Sequence, residues 1–248
     1  MSDAPSTAQG QGGIRARTLA FPWVTSLLSC AAILAYLQPE LALWLEDQEG
    51  ACRKAELWRP LFGHLAHASF QHLALNLGAF LILGTWRERN VGHARFLLEY
   101  AALAIGVAAG VRGLHVDWLS YRGLSGVVYG LLAIGLLPPV GSSWRSASSL
   151  IGLSAAALFA AKSLLEWLHG GWIFEARSLE EGLGLRYLAG SHVAGLAVGV
   201  AIRIGSGAHW ARLKSGRNTR VARQETRLEA PVPNPEHPEH TVRDTLPA

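Results

Sequence analysis

Residues 121–132 read YRGLSGVVYGLL, with a serine held between two glycines (Leu124 intervening on one side) at the head of an apolar helix. Pro138-Pro139 ends that helix, since proline cannot continue one. Ser125 to Leu137 is 13 residues, about 20 Å of helix. The hydrocarbon core of a bilayer is about 30 Å thick. A helix this short cannot cross alone, so the residues before Ser125 must form a loop roughly 10 Å below the surface. Loop at that depth is tolerated only where it lines a water-filled cavity or is buried in protein. The stretch therefore reads as a device that places a hydroxyl inside a membrane protein.

The composition of the whole chain supports this reading. Of 248 residues, 50% are hydrophobic and 16% charged, whereas a soluble domain carries about a quarter charged residues. The charges cluster between long apolar runs. Six candidate spans follow, at 21–45, 61–86, 95–112, 123–137, 147–168 and 187–205. The expectation is an all-α membrane protein: a bundle of six transmembrane helices, the short fourth one carrying the serine. The membrane domain is expected over residues 21–206, after a disordered N-terminal segment, 1–20. Residues 207–248 are basic at first and then rich in proline, "PVPNPEHPEH", and should form a disordered tail. No internal repeat and no separate soluble domain is visible.

Lysine and arginine placement orients the chain. Arg15 and Arg17 precede the first run, and Arg87, Arg89 and Arg95 lie between the second and third. Arg145 lies between the fourth and fifth, and Arg203, Arg212, Lys214, Arg217 and Arg220 follow the sixth. With six spans all of these share one side, which the positive-inside rule makes the cytoplasm. The opposite loops mix Arg53, Lys54, Arg122 and Arg177 with Glu46, Asp47, Glu49, Asp117, Glu180 and Glu181. Both termini are thus expected to be cytoplasmic. The net charge of +4 is small, and its arrangement marks topology, with no nucleic-acid patch. Two cysteines, Cys30 and Cys52, set no disulfide framework. "LLSC" ending at Cys30 is similar to a lipoprotein cleavage site, but Leu28 is bulky for it, so the first run is read as a retained anchor.

Helix rise then brings distant residues to one depth. His192 lies 12 residues before Ile204, about 18 Å above the cytoplasmic end of its span. His72 lies about 20 Å above the Trp86-Arg87 boundary, with Asn76 one turn lower on the same face. Ser125, His192 and the His72/Asn76 pair therefore meet at a common level. Gly126 and Gly130 form a small-residue face beside Ser125, and Gly195 and Gly199 form another just below His192. Such faces let two backbones approach closely. A serine becomes a nucleophile when a base takes its proton. The unsatisfied N–H groups at a helix start, here near Leu124 and Ser125, are ready donors to an oxyanion.

Each residue also has a plainer reading. Ser125 and its glycines suit helix packing, His192 suits a hydrogen-bonded interior site, and His72 with Asn76 suits interhelical bonding. What sets these aside is the shared depth. His64, His67 and His72 invite a metal reading, but no HExxH motif or cysteine cluster accompanies them, so no metal or other cofactor is expected. A haem held between transmembrane histidines, and a small transporter, are further alternatives. Lys162 and Glu166 form an i,i+4 pair on the fifth span, expected to neutralise each other, with substrate contact as the alternative.

The ordered set "WRPLFGHLAHASFQHLALN", "GLSGVVYGLL" and "SHVAGLAVGV" resembles the rhomboid intramembrane serine proteases. Gly84, Glu88 and Gly92 add a Gly-xxx-Glu-xxx-Gly pattern, and the resemblance covers about residues 57–200. It implies a Ser125–His192 dyad without a third acid. It implies an oxyanion hole from His72, Asn76 and the backbone of Leu124 and Ser125, with Gly123 in the turn and Tyr129 packed on His192. A narrower resemblance is to the rhombosortases, carried by the short 46–60 loop and the Lys162-xxx-Glu166 pair. It implies substrates that are secreted proteins with a C-terminal Gly-Gly motif, one hydrophobic span and a basic end. Rhombosortases are a bacterial subgroup, so the resemblance also implies a bacterial inner membrane, and the partners expected are that lipid bilayer and such membrane-anchored substrates. A rhomboid protease with other single-span substrates, or an inactive rhomboid-like binding protein, are the alternatives.

Overall fold

Leu27, Ile82, Leu98, Ile151 and Leu158 stand between 66% and 72% exposed, while Arg87, Glu88, Glu99 and Glu166 are buried. In water this arrangement is inverted. In hydrocarbon it is the stable one, because apolar side chains face lipid and ionisable groups find partners inside.

The computed structural model describes residues 21–114, 120–138, 142–143, 145–169 and 190–206. They form helices α1 (Trp23–Leu37), α2 (Pro39–Leu45), α3 (Trp58–Phe62, followed by a 3₁₀ turn at Gly63–Leu65), α4 (Phe70–Val91) and α5 (His93–Leu114). Then come α6 (Ser125–Leu136), α7 (Ala147–His169) and α8 over residues 190–206. Two short strands, β1 (Asp47–Gln48) and β2 (Ser120–Tyr121), pair antiparallel. Among the described residues α5 and α7 are long and apolar enough to cross a membrane, and counting each bent pair as one span raises the number to four. The segments 1–20 and 207–248, expected to be disordered, lie outside the described residues.

Two expected spans differ from the reading of the sequence. The run 21–45 breaks between α1 and α2 with a bend of 118°. Pro39 removes an N–H and forces the preceding residue out of the helical region, and Gln38 is accordingly extended at φ −120°, ψ 94°. The run 61–86 also breaks, with a bend of 100° between the 58–65 segment and α4. The Ser69 hydroxyl accepts from the His72 N–H at 3.2 Å and caps a new helix there. His72 consequently sits in the first turn of α4, and not in the middle of a longer helix.

Three polar locks hold the bundle. Glu88 accepts from the Val24 N–H (2.9 Å), the Thr25 N–H (2.8 Å) and the Thr25 hydroxyl (2.6 Å). It therefore satisfies the otherwise orphaned amides at the start of α1. Gly84 makes this approach possible, since a Cβ there would lie 3.1 Å from Thr25. Arg87 grips Glu99 with two bonds of 2.7 Å, tying α4 to α5. The third lock is the strand pair, in which Asp47 opposes Tyr121 and Gln48 opposes Ser120. Arg112 donates to Asp47 at 2.6 Å and Arg122 to Glu46 at 2.8 Å. This lock fixes the chain just before Ser125. Between the locks, Phe80, Phe96, Tyr100, Leu103, Leu124, Leu131 and Ile134 form one core.

Candidate active site

Gly123 turns the chain into α6 at φ +107°, a conformation that favours glycine. Space demands glycine as well, since a Cβ there would lie 2.7 Å from His72 Cε1, 2.8 Å from its Nε2 and 3.8 Å from Asn76 Nδ2. His72 and Asn76, one turn apart on α4, thus converge on the backbone two residues before Ser125. The Tyr121 hydroxyl donates to the Gly123 carbonyl at 2.9 Å and also faces the side chains of Ser125 and Ser191. Nothing in the sequence singles out Tyr121, a lone tyrosine in the segment before the helix.

Leu124 is fully buried, and its N–H points to His67 Nε2 at 3.5 Å. The partner of His67 Nδ1 is the Leu65 carbonyl, at 3.0 Å. A carbonyl only accepts, so Nδ1 carries the proton and Nε2 is left as an acceptor. The Leu124 amide, expected to face an oxyanion, is turned to His67 here. The His67 ring meets that of His72 edge-on, with centroids 5.1 Å apart.

Helix α8 is wedged against α5 and α6 by glycine. A Cβ on Gly195 would lie 2.0 Å from the Gly126 carbonyl oxygen, and one on Gly199 would lie 2.3 Å from that of Gly130. On the other side, a Cβ on Gly110 of α5 would lie 2.3 Å from Ala194 Cβ. The backbones of α6 and α8 are therefore in direct contact. This contact brings Ser191 and His192 to the head of α6, where a Cβ on Gly126 would lie 2.9 Å from the Ser191 carbonyl oxygen.

His192 is 2% exposed, and its ring stacks on Tyr129 with centroids 4.0 Å apart and planes 6° from parallel. Tyr129 follows Ser125 by four residues, so both occupy one face of α6. The Lys162–Glu166 pair is formed, with Nζ 2.5 Å from Oε1. The other carboxylate oxygen, Oε2, lies 3.3 Å from His192 Nδ1, and Lys162 also donates to the Tyr129 hydroxyl at 3.2 Å. The pair expected from the sequence is formed, and it extends beyond itself to the histidine. The sequence signals a charged pair at membrane depth on α7, but it names no partner on another helix.

Outside the spans, burial pushes the Asp47 carboxyl above its usual range, against the pull of Arg112. Among the described residues no group of three or more His, Cys, Asp or Glu side chains is arranged to hold a metal. His64 Nε2 pairs with the Ala104 carbonyl at 2.8 Å. Cys30 and Cys52 are both free and exposed.

Fold and site define an integral helical membrane protein with a hydroxyl, an imidazole, a carboxylate and an amide gathered at the head of a short apolar helix. The family model described as Rhomboid domain matches residues 54–207, well over half of the chain. The chain belongs to the rhomboid family, a family of intramembrane serine proteases that includes inactive members.

Proposed function

We propose that this protein is an intramembrane serine endopeptidase with Ser125 as nucleophile and His192 as general base. His192 Nε2 takes the Ser125 proton as Oγ bonds to the scissile carbonyl carbon, and the carbonyl electron pair moves onto oxygen. Collapse of the tetrahedral intermediate breaks the C–N bond, and the imidazolium returns its proton to the leaving amine. Water, activated by the same imidazole, then hydrolyses the acyl-enzyme. His72 and Asn76 supply side-chain donors to the oxyanion, beside the Ser125 N–H. The Leu124 N–H joins them only on leaving His67.

The observation that carries this reading is the stack of His192 on Tyr129, one turn along the face of α6 that also bears Ser125. On this reading the chain crosses the bacterial inner membrane six times with cytoplasmic termini, α6 is the short fourth pass, and the site opens to the periplasm. A serine-reactive fluorophosphonate probe should label the folded protein at Ser125. Ser125→Ala and His192→Ala should each abolish labelling and peptide cleavage while the protein still folds in detergent. Undiminished turnover by Ser125→Ala would end the reading. A folded wild type that is never labelled would favour an inactive binding protein.

The substrate reading is rhombosortase-like: secreted proteins whose C-terminal tail carries small residues with Gly-Gly, one apolar span and a basic end. The short 46–60 segment and the Lys162-xxx-Glu166 pair support it. So does chemistry. A shallow site needs extended backbone from the outer part of a substrate span, and glycines disfavour helix there. Deleting the gene and comparing the C-termini of such secreted proteins by mass spectrometry tests it. Tails still removed at the same residue would exclude this substrate class.

A further inference from the structure

Glu166 is fully buried, and its two oxygens have two different partners. Oε1 takes Lys162 at 2.5 Å, and Oε2 faces His192 Nδ1 at 3.3 Å. Neutralising one lysine requires only the first contact. If neutralisation were the purpose, an apolar pair of similar volume would serve the bilayer at least as well. The second contact has a chemical consequence. An ionised carboxylate only accepts, so the contact is a hydrogen bond when His192 carries its proton on Nδ1. Nε2 then keeps the lone pair that a general base must present.

Stacking cannot achieve this by itself. The Tyr129 ring fixes the plane of the imidazole, yet a half-turn about the Cβ–Cγ bond leaves that plane unchanged. The half-turn would exchange Nδ1 for a carbon. A carboxylate at one edge of the ring removes the ambiguity and selects the tautomer with it. Such hydrogen bonds are often long in a free enzyme and tighten in the transition state.

We propose that Glu166 is a positioning residue for His192, extending the pair into a Ser125–His192–Glu166 chain whose carboxylate is aimed by Lys162. This rests on the reading of Ser125 and His192 given above. Among the described residues, the groups that face His192 include Glu166 and Lys162 from α7, Tyr129 from α6 and His72 from α4.

The test compares Glu166→Gln with the double variant Lys162→Met/Glu166→Gln, using a fluorophosphonate probe on the purified full chain in detergent. The limiting labelling rate of Ser125, the probe concentration giving half that rate, and thermal unfolding are measured together. Glu166→Gln should slow the limiting rate by about 10²-fold or more with little change in half-saturation. The double variant carries no uncompensated charge on α7, so it remains decisive where Glu166→Gln alone fails to fold. It should stay equally slow. A double variant labelled at the wild-type rate would overturn the proposal, because Glu166 would then serve only to neutralise Lys162. Labelling of Ser125→Ala at the wild-type rate would instead overturn the reading of the site on which the proposal rests.

Discussion

His192 lies flat on Tyr129, the two rings 4.0 Å apart between centroids and 6° from parallel. The contact joins α8 to α6 at the level of the candidate nucleophile. Such closeness needs the helix backbones to touch, which the Gly126–Gly195 and Gly130–Gly199 approaches allow. Orientation of the imidazole is thus a product of how two helices pack.

Tyr129→Phe keeps the ring and loses the hydroxyl, which accepts from Lys162 at 3.2 Å and also meets the Ser163 side chain. It should label with the fluorophosphonate probe within about tenfold of wild type, because the ring face under His192 is kept and Lys162 still has Glu166 as a partner. Tyr129→Leu removes the flat face, and misplacing a reacting group by about 1 Å can lower the rate about 10²-fold. Equal labelling rates for the Leu variant and wild type would show that the stack orients nothing.

Gly195→Ala adds a single methyl, yet that methyl would lie 2.0 Å from the Gly126 carbonyl oxygen. The helices must part, so cleavage should fall by roughly 10²-fold and the unfolding temperature should drop. Gly78, with nothing within 4 Å of a Cβ, is the control. Alanine there should be neutral or stabilising by up to about 1 kcal/mol. Thermal unfolding and cleavage assays on the pair read both effects.

Asn76→Ala should lower turnover by about 10²–10³-fold and leave KM nearly unchanged. The motive is the position of Nδ2, 3.8 Å from where a Gly123 Cβ would be, beside the start of α6. An unchanged kcat with a raised KM would make Asn76 a substrate-binding residue.

Glu88→Ala should destabilise the fold without changing the chemistry of molecules that remain folded. Four donors converge on this buried carboxylate: two amides and a hydroxyl of α1, and His93 at 2.5 Å. Losing hydrogen bonds to a buried charged group should lower stability by roughly 2–5 kcal/mol. Detergent unfolding checks the loss, and labelling per folded molecule should stay at the wild-type rate.

Much of this architecture is local information. Apolar runs, Pro138 after a short helix, and glycines spaced one turn apart are properties of neighbouring residues, and helix rise converts them into depth. The common level expected for Ser125, His192, His72 and Asn76 rests on that rise alone, and the glycine faces that let α6 and α8 touch are legible from spacing. The Gln38–Pro39 break was also written in the chain, but hydropathy averages over a window and does not register one missing N–H. Ser69 was similarly hidden, since a cap is recognised only when the helix after it is known to begin there.

What the tertiary structure alone decided is which atoms those levels join. Glu166 and His192 are 26 residues apart, and Leu124 and His67 are 57 apart. Depth is a single coordinate, and it leaves the rotation of each helix about its axis undetermined. Rotation is set when glycine faces interlock and charges seek partners, which involves every neighbouring helix at once. The sequence therefore placed a carboxylate in the membrane beside a lysine. Only the packing of α7 against α6 and α8 turned its second oxygen toward the histidine.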